Sequence, residues 1–346
     1  MTRLEAPLGA EVNGFDFAMH VDHTVRARLV AAIDDHLVLL FRNGDAPPTN
    51  QQVADLCSAI GPLRPTLADK SRLPDQPGIN RVSNRYADGV VGTGGSGTVT
   101  WHSDLSFQPP LIEFLYLDAL MIPGLGGDTK FVNLCAAYAA LPTMTRARID
   151  DIAVKYRLRD GLDFSGYFKA SDPGSLFQET VVSLVQRNPR TGRKSVWPNT
   201  GPDFAVDVLG LDPVAGRALL AELLEHCTRD EFVYRHVWRR GDAVLWLNTQ
   251  TMHEREAFPD EHERVLRHVN ILGTTDPHQV SPGASHDRDL SVEPALRHGC
   301  HSPSGVRPNR RTALSWTMAS TCCWVSFAMC FSASSFDRGQ VESLWG

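Results

Sequence analysis

Two histidines and one aspartate carry the strongest chemical signal in the chain. Trp101-His102-Ser103-Asp104 places an imidazole and a carboxylate two residues apart. On an extended strand such side chains point to the same face, so His102 and Asp104 are predicted to reach one cation. A histidine, a carboxylate and a second, distant histidine form the ligand set of non-haem iron(II) oxygenases, which leaves positions open for oxygen and a chelating co-substrate.

His253 is the predicted third ligand. It ends the segment GDAVLWLNTQTMH, which is predicted to be a strand that follows a tight turn and ends in polar sequence. A strand end at the mouth of a barrel suits a metal ligand. The His-x-Asp pattern is weak by itself, because 13 histidines make chance pairs common, so the assignment depends on the surrounding sequence.

An arginine and a threonine are predicted to hold a dicarboxylate co-substrate. A dicarboxylate that chelates iron at one end needs a cation at the other, and the planar guanidinium pairs with a carboxylate through two hydrogen bonds. Arg264 lies just before the predicted strand VLRHVNIL, and a hairpin return would bring it beside the strand of His253. Thr129 can add a hydroxyl hydrogen bond. The alternative is that Arg264 is a surface residue in the charged turn DEHER.

Other elements must position these residues, and their predicted pattern is typical of an antiparallel sandwich or barrel with helices packed outside. Hydrophobic spacing and turn residues predict three longer helices and several short strands. The helices are predicted at 25–36, 51–60 and 213–228, with a short one at 135–141. The strands are predicted at 37–42, 111–120, 130–134, 231–239, 243–248 and 266–274. The pattern decays near residue 280, so we predict one domain over 1–280 and an irregular C-terminal appendage over 281–346.

Composition limits the classes of partner. The net charge of -6 comes from 34 basic and 40 acidic residues without a basic run, which argues against nucleic acid and favours small molecules. The N-terminus has no apolar leader and no apolar run is long enough to span a membrane. The odd number of cysteines lacks a framework spacing, which is typical of a cytoplasmic protein. Assembly into a homo-oligomer stays open.

Several motifs, in order and at matching spacing, resemble the TauD/TfdA family of taurine and 2,4-dichlorophenoxyacetate dioxygenases. The matching segments are WHSDLSFQPP, GGDTKFVNLCAAYAALP, FVYRHVWRRGDAVLWLNTQTMH and ERVLRHVNIL, together with LGAEVNGFDF near the N-terminus. The resemblance extends over about residues 3–275 and is closest to the phenoxyacetate branch.

This resemblance implies a mainly β fold with flanking helices, the double-stranded β-helix or jelly roll. It implies that His102, Asp104 and His253 bind iron(II), that Thr129 and Arg264 bind the 2-oxoglutarate carboxylate, and that Trp246 lines that pocket. The activity it implies is hydroxylation of a small organic anion of the aryloxyalkanoate, sulfonate or related carboxylate type. Oxygen and 2-oxoglutarate would be co-substrates, and succinate and CO2 would be released.

The chain departs from the family pattern at three positions. Leu247 and Thr249 stand where the family usually has an acid and an arginine before the distal histidine. His268 stands four residues after Arg264, where the family often has an arginine that binds the substrate anion. The candidate substrate contacts are therefore weakly defined. They are Arg64, Thr98, Arg267 and His268.

A glycine-rich segment precedes the metal motif. Gly92–Gly97 matches the letters of a dinucleotide-binding motif, but no helical pattern follows it, so a mobile lid over the site is the preferred interpretation. Two other functions stay open from the residues alone. One is a zinc-type hydrolase with the same His-Asp-His set, and the other is a metal-stabilised protein that binds 2-oxoglutarate without turnover.

Overall fold

Antiparallel strands form most of the computed structural model, which describes residues 1–273 except 45, 67, 107–109, 159–178 and 202–203. The strands are β1 (Thr2–Arg3), β2 (Ala10–Glu11), β3 (Val38–Arg42), β4 (Leu63–Arg64), β5 (Ile79–Ser83), β6 (Val99–His102), β7 (Ile112–Met121), β8 (Thr129–Asn133), β9 (Ala153–Leu158), β10 (Thr180–Ser183), β11 (Val185–Arg187), β12 (Lys194–Val196), β13 (Phe204–Val208), β14 (Val233–His236), β15 (Asp242–Leu247), β16 (Thr251–Arg255) and β17 (Val265–Leu272). The helices are α1 (His23–His36), α2 (Asn50–Ile60), α3 (Leu134–Ala140), α4 (Thr143–Ile149) and α5 (Pro213–Cys227). The predicted appendage at 281–346 lies outside the described residues.

Two sheets face each other and enclose the candidate site. The major sheet has eight strands in the order β1-β2-β3-β15-β7-β17-β4, with β5 also paired to β17, and the minor sheet has the order β14-β8-β16-β6. Side chains from both sheets meet between them, as Trp246 of the major sheet lies edge-on to Phe131 and His253 of the minor sheet. This is the double-stranded β-helix that the family resemblance implied.

Helices α1 and α2 cover the outer face of the major sheet. Their apolar side chains, among them Ile33, Val53 and Cys57, belong to the same buried cluster as the sheet. Thr49 begins α2 with a reciprocal capping box, in which its side chain accepts from the Gln52 backbone and the Gln52 side chain accepts from the Thr49 backbone. Capping satisfies backbone donors that the first turn leaves unpaired.

A second buried cluster lies on the other side of the minor sheet. It joins Val132 of β8 and Met252 of β16 to residues of α3, α5 and the strands β9, β10 and β13. Each sheet therefore has an apolar layer behind it, and the polar site residues lie on the faces that the two sheets turn toward each other. No helix among the described residues is long and apolar enough to cross a membrane.

The predicted helices and strands agree with the structure in type and to within a few residues at their ends. The capped helix predicted at 51–60 is α2, and the helix predicted at 213–228 is α5. The region 62–100, in which no strand was predicted, contains β4, β5 and the start of β6. These strands are short and follow Pro- and Gly-rich sequence, which hides the period of two that marks a strand.

Candidate metal centre

Two neighbouring strands of the minor sheet present the two candidate histidines. His102 is the last residue of β6, and His253 is the middle residue of β16, directly opposite it in the strand pairing. Opposite residues in an antiparallel pair share a face, so the two imidazoles lie together with ring centroids 4.1 Å apart. His253 was predicted at the end of the strand that starts at Asp242. That was wrong, because this strand ends at Leu247 and a turn leads into the separate strand β16.

Asp104 reaches the histidines from a turn. The prediction that His102 and Asp104 share one extended strand was wrong, because β6 ends at His102 and Asp104 lies in the turn that follows. Asn248 holds this turn. Its Oδ1 accepts from the Asp104 backbone N–H at 3.1 Å, and its Nδ2 donates to the Asp104 carbonyl at 3.2 Å.

Ser103 anchors the same turn to two further parts of the fold. The Ser103 backbone N–H donates to Asn199 Oδ1 at 3.1 Å, and Asn199 Nδ2 donates to the Ser103 carbonyl at 2.9 Å. The Ser103 hydroxyl donates to the Thr251 carbonyl at 2.8 Å and accepts from the Trp197 indole. The backbone under Asp104 is therefore fully hydrogen-bonded, which fixes the direction of its carboxylate.

The three side chains fit a divalent cation. One ligand atom from each of His102, Asp104 and His253 lies within 4.8 Å of the others. Asp104 Oδ1 is 3.2 Å from His102 Nε2 and 3.9 Å from His253 Nε2. His102 Nδ1 lies 2.7 Å from the Thr100 carbonyl, which can only accept, so Nδ1 carries a proton and Nε2 is the nitrogen that faces the carboxylate.

The pKa values of Asp104 and His253 favour the forms in which these two groups bind a metal. Burial raises the pKa of Asp104, but hydrogen bonds from His102 and His268 outweigh it and hold that pKa well below the usual value of 3.8. Burial, with a smaller effect from His102, lowers the pKa of His253 from 6.5 to about 3. Near neutral pH the site thus contains a carboxylate and an uncharged imidazole, the forms in which these groups bind a metal.

His268 extends the cluster from the major sheet. It lies on β17, and its Nε2 is 3.2 Å from Asp104 Oδ2, the oxygen that does not face His102. A carboxylate that binds a metal through one oxygen is commonly held by a hydrogen bond on the other. Of the predicted substrate contacts, His268 is the one that lies against the metal cluster.

The predicted co-substrate residues gather at one end of the space between the sheets. Arg264 is 3% exposed, and its Nε donates to the Gly127 carbonyl at 3.1 Å. Burial, with a smaller effect from Arg255, lowers the pKa of Arg264 to about 9. Thr129 is also buried, and its hydroxyl oxygen accepts from Trp238 at 2.9 Å, which leaves the hydroxyl hydrogen available to a ligand.

Arg264 approaches this end from the opposite sheet. We predicted that a hairpin return would place it beside the strand of His253. This was wrong, because Arg264 precedes β17, which pairs with β7, β5 and β4 of the major sheet. Gly127, with φ 74°, makes the approach possible, since a Cβ there would lie 3.1 Å from Arg264 Cδ.

Trp246 lies beside the candidate ligand His253. It is fully buried, and its ring is 5.2 Å from that of His253 and 5.3 Å from that of Phe131. Its indole nitrogen is buried and finds no hydrogen-bond partner among the described residues.

The remaining predicted substrate contacts are Arg267, Arg64 and Thr98. Arg267 points to the outer face of β17, where it forms a buried ion pair with Asp118 and donates to Asn50 at 2.7 Å. Arg64 donates to the Pro110 carbonyl at 2.5 Å, and Thr98 is exposed just before β6. The structure does not bring Arg267 together with the metal cluster.

Sequence analysis missed two residues that face this space. Arg255 is two residues after His253 on β16, and this spacing alone could have placed it on the same face. Asn80 on β5 is 2% exposed and directly opposite His268, and neither polar atom of its amide has a hydrogen-bond partner among the described residues. No sequence signal marked Asn80, because β5 was not predicted.

Comparison with known proteins gives one family over most of the chain. Residues 2–270 match the model of the family described as "Taurine catabolism dioxygenase TauD, TfdA family". Pentalenolactone F synthase of Streptomyces arenae is 32% identical over 278 residues, which cover 76% of this chain and 92% of the relative. The alpha-ketoglutarate-dependent 2,4-dichlorophenoxyacetate dioxygenase of Cupriavidus pinatubonensis is 32% identical over 276 residues, which cover 76% of this chain and 94% of the relative.

Solved structures share the fold. The crystal structure of AAD-2 in complex with Mn(II) and N-oxalylglycine is 28% identical with a TM-score of 0.64, and the match covers 80% of this chain and 97% of that one. A taurine dioxygenase from Burkholderia xenovorans is 27% identical with a TM-score of 0.62, covering 79% and 90%. The bound Mn(II) in the first of these describes that protein's site, not this one.

Proposed function

The chain belongs to the taurine catabolism dioxygenase TauD, TfdA family, and on that basis we propose that His102, Asp104 and His253 hold the iron(II) of a 2-oxoglutarate-dependent hydroxylase. Members of the family use iron(II), 2-oxoglutarate and O2, so the chain is a dioxygenase and the predicted family is confirmed. Its relatives also support the predicted phenoxyacetate branch. Membership sets aside the zinc-type hydrolase and the binding protein without turnover.

One observation supports the ligand assignment above the others. Two imidazole nitrogens and one carboxylate oxygen, brought together from β6, β16 and the turn that follows β6, lie within 4.8 Å of one another. This donor set is the facial arrangement that binds iron(II) and leaves neighbouring positions open. When bound, iron(II) with O2 and 2-oxoglutarate supplies the oxidising power for hydroxylation, while the co-substrate is converted to succinate and CO2.

The other residues of the site position the co-substrate and exclude water. Arg264 and Thr129 are proposed to hold the far carboxylate of 2-oxoglutarate through a guanidinium and a hydroxyl donor. Trp246 and Phe131 are proposed to line the pocket beside His253 with their aromatic rings. A dry, preorganised site strengthens each of these polar contacts.

The first candidate substrate is a small organic anion. Relatives are named for 2,4-dichlorophenoxyacetate, phenoxypropionate and sulfate esters, and this supports an aryloxyalkanoate, sulfate ester or related carboxylate. Arg64, which lies on the major-sheet edge strand β4, is the predicted contact that could offer such a substrate a positive charge. Thr98, just before β6, is a further proposed contact.

The second candidate is an uncharged, oxygen-bearing molecule. His268 replaces the arginine that the family often places at this position, and it is bound to Asp104 rather than open to an anion. Beside it, the buried amide of Asn80 offers both a donor and an acceptor without partners among the described residues. A carboxylate or sulfonate brings only acceptors, whereas a hydroxyl group can both donate and accept and so can match an amide.

Oxygen-dependent succinate formation tests the proposed function. The purified protein would be assayed with iron(II), 2-oxoglutarate and a panel of aryloxyalkanoates, sulfate esters, sulfonates and uncharged hydroxy compounds. We expect substrate-dependent succinate with at least one class, and no turnover in His102→Ala. A matched control is His20→Ala, which removes an exposed histidine. Full turnover in His102→Ala would overturn the ligand assignment.

A further inference from the structure

We propose that Arg255 is a second guanidinium of the co-substrate carboxylate subsite, and that it joins the glycine-rich segment Gly92–Gly97 to that subsite. The inference rests on the proposed function, because it assumes that a dicarboxylate binds beside Arg264 and Thr129. It adds a positioning residue that the sequence motifs did not identify. It also gives the glycine-rich segment a role in co-substrate binding.

Strand register places Arg255 at this subsite. Arg255 follows His253 by two residues on β16 and is directly opposite Thr129 on β8. Opposite residues of an antiparallel pair have their Cβ atoms about 4.5–5.5 Å apart on the same face. Arg255 therefore projects from the same face as the candidate iron ligand His253 and beside the hydroxyl proposed to bind the carboxylate. The neighbouring pair, Glu254 and Lys130, points the other way and forms a salt bridge at 3.1 Å.

Arg255 and Arg264 form a pair of buried positive charges without an acidic partner. They are 7% and 3% exposed, and burial and, less strongly, the charge of Arg255 lower the pKa of Arg264. No ion pair joins either one to an acid within the described part of the chain, and the nearby Asp128 pairs with Arg235 at 2.9 Å. Burying a charge is costly unless it is paired. Two such guanidinium groups beside a free hydroxyl hydrogen point to an anionic ligand that contacts both.

The same arginine contacts the glycine-rich segment. Arg255 Nη2 donates to the Gly97 carbonyl, and a Cβ at Gly94 would lie 3.1 Å from Arg255 Nη1. Phe258, three residues after Arg255, also contacts the segment. Its backbone N–H donates to the Ser96 carbonyl at 3.0 Å, and its ring lies under the Arg255 guanidinium. A carboxylate that fixes Arg255 thus also stabilises the position of this segment.

Binding measurements on the Mn(II)-loaded protein test the subsite without requiring turnover. Calorimetric titration with 2-oxoglutarate and N-oxalylglycine would compare wild type, Arg255→Gln and Arg255→Lys. We expect Arg255→Gln to weaken binding by about tenfold or more, the usual effect of losing a hydrogen bond to a charged group. Arg255→Lys keeps the charge but not the planar guanidinium, so its affinity for both ligands should lie between those of wild type and Arg255→Gln. The affinity for Mn(II) should change little.

A matched control removes a different half-buried guanidinium. Arg193 donates to main-chain carbonyls of α1 and lies away from the metal cluster, so Arg193→Gln should bind both ligands as wild type does. Equal binding by wild type, Arg255→Gln and Arg255→Lys would overturn the inference and leave the proposed function intact. Failure of the wild type to bind either ligand would overturn the proposed function itself. Arg255→Lys serves alone if Arg255→Gln does not fold.

Amide hydrogen exchange tests the link to the glycine-rich segment. In the wild-type protein, N-oxalylglycine should slow exchange over residues 92–97, because the ligand fixes the side chain that holds the Gly97 carbonyl. In Arg255→Gln the same saturating ligand should leave exchange in this segment unchanged, while exchange elsewhere in the site still slows. Equal protection of the segment in both proteins would refute the link.

Discussion

Single hydrogen bonds decide how the candidate iron ligands are presented. His268 contacts the Asp104 oxygen that does not face His102, and the Thr100 carbonyl orients the His102 ring. Neither partner belongs to the ligand set itself. Hydrogen bonds of this kind commonly change metal affinity by about 10–100-fold, so the replacement of an arginine by His268 has consequences for the metal as well as for the substrate.

Removal of the His268 imidazole should weaken the metal site. We expect His268→Ala to lower Mn(II) affinity by roughly tenfold or more, because Asp104 Oδ2 loses its donor. His268→Gln, whose amide can donate from a similar position, should recover much of this loss. Titration of the metal into each protein measures the effect, with His20→Ala as the control. Wild-type affinity in His268→Ala would show that the contact does not support the ligand.

The buried imidazole of His253 should make the metal-free protein sensitive to acid. Its pKa is lowered from 6.5 to about 3 by burial, so between these values the unfolded chain takes up a proton that the folded chain does not. The free energy of unfolding should therefore fall as the pH falls from about 6.5 toward 3, by up to about 1.4 kcal/mol per pH unit from this group. Asp104, whose pKa is also lowered, adds a loss of the same sign below its usual value of 3.8.

Denaturant titrations at several pH values measure this dependence. In His253→Gln the contribution of one proton should disappear, and the curve between pH 6 and pH 4 should become shallower. Parallel curves for the two proteins would contradict the assignment of the proton to His253.

At the scale of elements, the capped start of α2 holds the outer layer against the sheet. Thr49 and Gln52 satisfy each other's backbone donors, and the next residue, Asn50, accepts a hydrogen bond from Arg267 of β17. The start of α2 is therefore hydrogen-bonded to β17, the strand that carries His268, on the outer face of the sheet. A defect at this cap should reduce stability more than it changes the chemistry of the site.

Loss of the cap hydroxyl tests this separation. We expect Thr49→Ala to lower the free energy of unfolding by about 1 kcal/mol with little effect on co-substrate binding. Ser58→Ala removes an exposed hydroxyl from the middle of the same helix and should change stability by much less. Equal losses in the two variants would show that the cap contributes no more than any exposed hydroxyl.

Across the whole molecule, the buried ion pair between Asp118 and Arg267 joins β7, β17 and the segment before α2. Arg267 donates to Asp118, Asn50 and the Pro48 carbonyl, so its five donors are largely used inside the protein. Burial nevertheless raises the pKa of Asp118 to about 6, against the effect of Arg267. Desolvation therefore offsets much of the attraction, as is usual for buried pairs.

Removing one charge of this pair should lower the free energy of unfolding far more than replacing both residues with apolar ones. Asp118→Asn leaves Arg267 as an unpaired buried charge and should destabilise the fold by about 3–5 kcal/mol. The double variant Asp118→Leu/Arg267→Met removes both charges and should recover a large part of that loss. Thermal and denaturant unfolding of the three proteins measure the difference. A double variant less stable than Asp118→Asn would contradict this account.

The candidate site residues could be proposed from the sequence. His102, Asp104, His253, Thr129 and Arg264 were assigned from the order and spacing of motifs along the chain, and helices such as α2 and α5 were predicted from capping residues and hydrophobic period. The helix signals depend on neighbours within a few residues along the chain, so they can be recognised without the fold. Strands β5 and β9 to β13 were not predicted from the sequence.

Only the tertiary structure decided how those residues meet. Asp104 comes to the histidines through a turn held by Asn248 and Asn199, which are 144 and 96 residues away along the chain from the groups they bind. Arg264 arrives from the sheet opposite His253, and Arg267 turns away although its neighbour His268 does not. Each of these outcomes depends on strand register and on contacts between distant segments, because a shift of one residue in register moves a side chain to the other face of the sheet.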